Sequence, residues 1–154
     1  MALDVVQLNL NDFPTPLNRQ NIFDLIYQAD PQGNDVLCTT DGSRYTGIVF
    51  EALSSGYVTA EYEIKNGIKD GIEKEFYGDG SVECLAHFRQ GLLHGEVTYF
   101  YGDGIPKEKS VFEYGIWLEG FEWDESGNLI NHNRLDPVSA RFEKVRKLRE
   151  QYNW

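Results

Sequence analysis

Between Gly42 and Gly127 the chain carries all but one of its 15 glycines, and they recur with a period. Gly67-Ile68-Lys69-Asp70-Gly71 followed by Phe76-Tyr77-Gly78-Asp79-Gly80 returns 24 residues later as Gly91-Leu92-Leu93-His94-Gly95 followed by Phe100-Tyr101-Gly102-Asp103-Gly104. A third copy opens at Gly115 and carries Gly120, Trp123 and Gly127 at slightly shifted spacings, while Gly47 and Gly56 mark a degenerate copy upstream. A unit of about 24 residues cannot bury an apolar face by itself, so an array of about four such units must stack on its neighbours to be stable.

Within a unit the chemistry alternates with a period of two. Ile72, Lys74 and Phe76 fall on one side of an extended chain and Glu73, Glu75 and Tyr77 on the other. Gly78-Asp79-Gly80 supplies residues that tolerate the backbone of a tight reversal, and Val82, Cys84, Ala86 and Phe88 alternate along the return. Each unit therefore reads as a β-hairpin, and the expected fold is mainly β: a meandering antiparallel sheet of stacked hairpin repeats. Such stacking is expected to bury Phe76, Phe88, Phe100 and Phe112 as one row. The flanks lack the repeat. Thr15-Pro16 followed by Ile22, Phe23, Ile26 and Ala29 predicts a short N-terminal α-helix ending before Asp30-Pro31-Gln32-Gly33. Asp136-Pro137 with Val138, Phe142, Val145, Leu148 and Tyr152 predicts a C-terminal α-helix, rich in Arg and Lys between Arg141 and Arg149, that clamps an acidic sheet. Val5 to Leu10 is expected to add an edge strand. The chain divides as a single domain over 1–154: a cap over 1–40, the repeat sheet over 41–130 and the terminal helix over 131–154.

With 154 residues, 41% hydrophobic and 25% charged, the chain can bury one core, and its composition fits neither a membrane span nor a disordered polymer. Its net charge of −11 repels nucleic-acid backbones and anionic lipid, so neither nucleic acid nor membrane is an expected partner. Met1 to Gln7 contains no basic segment and no long apolar stretch, which leads to the expectation of a cytoplasmic protein. Cys38 and Cys84 are too few for a thiolate metal site, and His87, His94 and His132 have no ligand-like spacing, so no metal or cofactor is expected.

The Gly-Asp-Gly turns lack the Lys and Ser/Thr of a phosphate-binding loop, and Asp124 to Asn128 lacks the final Glu of a calcium loop, so both read as turns. Glu73 and Glu75 are carboxylates on one strand face, as an acid/base pair would be, but nothing nearby signals a substrate pocket and solvated strand positions explain them more simply, so no enzyme activity is expected. Projection by one repeat sets Glu73, Glu75 and Tyr77 beside Val97, Tyr99 and Tyr101, and Glu83, Leu85 and His87 beside Lys107, Lys109 and Val111. An acidic, tyrosine-bearing face of this kind suits protein binding, since carboxylates steer basic partners and tyrosines bury large areas at low entropic cost. The candidate partner-binding residues are thus Glu73, Glu75, Tyr77, Glu83, Tyr99 and Tyr101, with Trp117 and Trp123 as possible anchors on the last unit. The same tyrosines and tryptophans equally fit a second core layer beneath a terminal helix.

Tyr45-Thr46-Gly47-Ile48-Val49-Phe50, the Gly-x-x-x-Gly linkers at Gly67/Gly71 and Gly91/Gly95, and the Tyr-x-x-Gly turns at Tyr77/Gly80 and Tyr101/Gly104 resemble the variant MORN repeats of bacterial antitoxin-like proteins. The resemblance covers Asp41 to about Ile130. It implies a cytoplasmic immunity protein (antitoxin) that neutralises a cognate toxin domain by occluding its active site or substrate access. The charge adds that the toxin is basic, as a nuclease or a nucleotide-using transferase is. The alternative is a non-inhibitory MORN-like scaffold or adaptor for protein complexes or a membrane surface.

Overall fold

The computed structural model describes residues 18–154. The described chain enters through β1 (Arg19–Asn21), a single 3-10 turn at Ile22–Asp24, and a separate small hairpin of β2 (Ile26–Ala29) and β3 (Asp35–Cys38). Four larger hairpins follow. They are β4 (Gly47–Ala52) with β5 (Val58–Lys65), β6 (Ile68–Phe76) with β7 (Val82–Arg89), β8 (Leu92–Phe100) with β9 (Pro106–Glu113), and β10 (Ile116–Trp123) with β11 (Leu129–Arg134). With β1 they make one nine-stranded sheet in the order β1-β4-β5-β6-β7-β8-β9-β10-β11, antiparallel throughout except where β1 runs parallel to β4. The chain then forms α1 (Ala140–Gln151).

Two kinds of turn alternate along this meander. The long turns close when the first residue donates its N–H to the carbonyl of the fifth: Leu53 to Tyr57, Tyr77 to Ser81, Tyr101 to Ile105 and Asp124 to Asn128. The short turns are Asn66-Gly67, Gln90-Gly91 and Tyr114-Gly115, with both residues at positive φ (52° and 85° in the first), the conformation that matches the twist of the flanking strands. Each short turn is also tied to the repeat before it. Gly67, Gly91 and Gly115 donate to the carbonyls of Tyr45, Lys69 and Leu93. The N–H groups of Asn66, Gln90 and Tyr114 are accepted by Thr46 Oγ1, Asp70 Oδ2 and His94 Nδ1, three unlike side chains at one position of the repeat.

The single phenylalanine row does not form. Gly71 pairs with Phe88, Glu73 with Ala86 and Glu75 with Cys84, so even-numbered residues of β7 share a face with odd-numbered residues of β6. Phe88 and Phe112 accordingly pack beside Cys84, Ala86 and Val97, whereas Phe76 alternates away from Glu75 onto the other side of the sheet. The reason is the register: a five-residue turn and a one-residue shift at Glu75/Phe76 invert the phase that counting through the turn assumes.

The N-terminal helix is also replaced by other structure. Ile22 and Phe23 lie in the 3-10 turn, and Ile26 to Ala29 pair with Asp35 to Cys38 across a turn in which Asp30 Oδ1 accepts the N–H groups of Gln32 and Asn34. Phe23 is 81% exposed, and the residue that does bury is Leu25, which the helical spacing skipped. Leu25 and Leu37 cover Val49, Tyr62 and Ile64 with Tyr45, forming the larger of two small cores. The edge strand expected over Val5 to Leu10 lies outside the described residues; β1 holds the edge beside β4. The C-terminal helix is present but starts later than its proline. Ser139 caps it by accepting the Phe142 N–H, Val138 is outside it and exposed, and Val145 is its fully buried residue. Arg149 forms a two-pronged ion pair with Glu113 of β9, with both contacts at 2.7 Å, so the basic helix does grip the acidic sheet.

Candidate functional site

Cross-strand pairing sorts the side chains of the sheet into rows that run from strand to strand. One face carries the row Ala60, Glu75, Cys84, Tyr99, Glu108 and Glu122, and beside it the row Tyr62, Glu73, Ala86, Val97, Ser110 and Gly120. The opposite face carries Phe50, Glu61, Lys74, Leu85, Thr98, Lys109 and Phe121. The small hairpin covers the first face only at Val49, Tyr62 and Ile64. Further along, Cys84, Ala86, Val97 and Ser110 are buried although no second layer is needed to explain it: they are small, and Phe88, Leu93 and Phe112 pack against them.

The structure divides the sequence-predicted residues into distinct roles. Glu73 is 14% exposed at its side chain and bonds Lys69 Nζ at 2.7 Å, and that ammonium lies 4.5 Å from the centre of the Tyr62 ring. Glu75 is exposed on the same face, and burial together with the charges of Glu73 and Glu83 raises its pKa. Tyr77, Glu83 and Tyr99 converge with Phe100, Lys107 and Glu108 on a depression of about 150 Å³. Tyr99 is 41% exposed, so α1 does not cover it. Its pKa is pushed up to about 12 by the neighbouring Cys84 sulfur and by burial, and the Cys84 thiol is pushed up to about 11 by burial. Both stay protonated at neutral pH, and Cys84 is not an activated nucleophile.

The remaining candidates are drawn into the fold. Tyr77 donates its hydroxyl to the Phe100 carbonyl at 2.6 Å, and Tyr101 donates to the Trp123 carbonyl at 2.9 Å, so each ties a long turn to the next repeat. Trp117 donates to Ser110 Oγ at 3.2 Å and lies over Gly120, where a Cβ would stand 3.1 Å from the indole. Trp123 faces the other way. It stacks on Phe121 at 5.9 Å, so the two tryptophans serve opposite faces.

Charge is distributed unevenly between the faces. On the Phe50 face, Glu61 is paired with Arg19, Glu96 with Lys109, and Glu119 with both Arg134 and His132. Among the described residues only Glu73 has a cation on the Cys84 face, and Glu75, Glu83, Glu108 and Glu122 are in no ion pair. Glu108 and Glu122 are the residues that sequence reasoning missed. The signal was available: the register that opposes Glu75 to Cys84, carried forward one repeat, opposes Tyr99 to Glu108.

Among the described residues no group of three His, Cys, Asp or Glu side chains is arranged to hold a metal ion. Asp124, the first ligand position of the apparent calcium loop, instead accepts the N–H groups of Ser126 and Asn128 within its turn. No described helix is long and apolar enough to cross a membrane. No protein-family model matches the chain, and no curated protein is significantly similar to it.

Proposed function

We propose that the chain is an immunity protein of the variant MORN kind, which binds a cognate toxin domain and neutralises it by covering its active site or substrate approach. The observation that carries this reading is the one-sided charge among the described residues: a sheet face with four glutamates in no ion pair around an exposed Tyr99, backed by a face whose glutamates are largely ion-paired. Burial first, and then the charges of Glu73 and Glu83, raise the pKa of Glu75, and a basic partner relieves the repulsive part on docking. Exposed tyrosine supplies contact area beside the charges. The net charge of −11 adds long-range attraction to a basic toxin such as a nuclease or a nucleotide-using transferase. The protein performs no chemistry in this scheme.

The test is neutralisation. The protein is captured with its binding partner from the source cell, the partner is expressed alone, and its toxicity and enzymatic activity are measured with and without a stoichiometric excess of this chain. A single basic partner that is lethal alone and inactive in the complex is the expected result. A partner that is harmless alone, or that keeps full activity when saturated, removes the immunity reading in favour of a scaffold.

A further inference from the structure

Where the sheet meets the C-terminal helix the two leave a cavity of about 370 Å³ between them. Gln90 and Tyr114, which precede the glycine of two successive short turns, line it from the sheet together with Leu92 at the start of β8. Lys144 and Leu148, one helical turn apart, line it from α1, and Tyr152 and Trp154 close it beyond the helix. The aromatic wall is held by the fold itself. The Tyr114 ring centre lies 4.7 Å from that of Trp154 and 6.2 Å from that of Tyr152, and the Tyr114 hydroxyl donates to the Trp154 carbonyl at 2.7 Å. Leu92 is 44% exposed and Tyr152 39%, so the cavity opens to solvent.

The polar groups around this cavity are uncommitted, and each can donate. Among the described residues Lys144 is in no ion pair, and Gln90 and Tyr152 enter hydrogen bonds through backbone atoms alone, which leaves an ammonium, an amide and a phenol hydroxyl free. No carboxylate lines the cavity, although Asp and Glu make up 25 of the 154 residues. A second cation stands close by: the Arg89 guanidinium lies 5.0 Å from the centre of the Trp154 ring. We propose that this cavity binds a small aromatic carboxylate, with its ring against Leu92, Leu148 and the Tyr114–Trp154 wall and its carboxylate on Lys144 Nζ. Gln90 and Tyr152 supply further donors to the same group. The volume lies at the lower end of the range for small-molecule sites, about 300–1,000 Å³, and suits a ligand of one or two rings. Aromatic walls favour a ring over a flexible aliphatic chain, because rings pack edge-to-face or offset on one another. The charge sets the other half of the specificity: a cationic ligand meets Lys144 and Arg89, and a neutral one leaves the ammonium unpaired. This site goes beyond the immunity reading and does not depend on it, since the chain forms it alone.

The probe is naphthoate, titrated into the full chain with amide and indole N–H chemical shifts and calorimetry as readouts. Naphthamide, which keeps the rings and removes the charge, is titrated beside it. The expected result is one-to-one binding of naphthoate that saturates below about 1 mM, with shifts centred on Leu92, Leu148 and the Trp154 indole. Naphthamide should bind about fivefold more weakly, and Lys144→Met should bring naphthoate down to that level while leaving naphthamide unchanged. Lys144 is exposed, so its replacement leaves the fold intact. Lys147→Met, on the same helix but outside the cavity, should change neither affinity, and Trp154→Ala should weaken both. No saturation by about 1 mM, equal affinity for the two probes, the same loss with Lys147→Met as with Lys144→Met, or shifts centred on the Phe50 face or β11 overturn the proposal.

Discussion

Tyr77 and Tyr101 show how one side chain can look like an anchor for a partner and serve the fold instead. Their rings sit at the long turns, but each hydroxyl is committed to a carbonyl of the next repeat, Phe100 and Trp123 respectively. Tyr101→Phe is expected to cost about 1 kcal/mol in urea denaturation and to leave partner affinity unchanged, since it deletes a hydrogen bond within the array and nothing else. Glu75 behaves in the opposite way. Burial and then the charges of Glu73 and Glu83 raise its folded-state pKa above the ordinary carboxylate value, so the folded protein binds its proton more readily than the unfolded chain does. This contribution to stability is present below the unfolded pKa and is lost as pH rises through the folded one. Glu75→Gln should therefore raise Tm at pH 7, abolish that part of the slope of stability against pH just above 4.5, and weaken a basic partner. Of the eight candidate residues, the exposure of Glu75 and Tyr99 on one face was legible because alternation is printed in the sequence, while the ion pair that holds Glu73 to Lys69 was not. The hydroxyl partners of Tyr77 and Tyr101 were not, because they depend on the neighbouring hairpin's position.

At the scale of elements, the short turns reveal what a repeat conserves in geometry while changing its chemistry. Thr46, Asp70 and His94 occupy one position and share one task, accepting an N–H from a residue held at positive φ. His94 can do so through Nδ1 only while that nitrogen is unprotonated. Its ring lies against Tyr114 and Trp154; burial lowers its pKa, with Glu113 opposing and Arg89 reinforcing that shift. The unfolded chain thus takes the proton first, and stability should fall as pH drops through the ordinary histidine value near 6.5 toward the lower folded value. In His94→Asn, which keeps an acceptor and cannot titrate, that portion of the pH dependence of Tm should disappear. The C-terminal helix was readable from its spacing, with Val145 as its buried centre. The N-terminal segment was not. Ile22, Phe23, Ile26 and Ala29 match a helical period, yet the turn-forming Asp30 and the complementary strand Asp35–Cys38 offer Ile26 to Ala29 a pairing that no local pattern predicts.

For the whole molecule, contact is made almost entirely between neighbours in sequence, which is the signature of a linear array. Deleting residues 67–90 joins Asn66 to Gly91 and regenerates a short turn of the same type. The product should fold into a sheet two strands narrower, with a smaller urea m-value, as circular dichroism and denaturation would report. The charge of the molecule acts at the same scale. Raising salt should slow association with a basic partner far more than it speeds dissociation in stopped-flow measurements, and a salt-independent association rate would remove electrostatic steering. The period in the glycines predicted the meander correctly; which face each phenylalanine joins depended on register, which no count along one strand contains. That register is reset at Glu51/Ala52, Glu75/Phe76, Tyr99/Phe100 and Glu122/Trp123, once in every hairpin. Because each unit carries its own correction, the duplication of a gene segment encoding one unit would lengthen the molecule without turning any side chain inside out, so this architecture can change its reach over evolutionary time as a ruler does, by whole divisions.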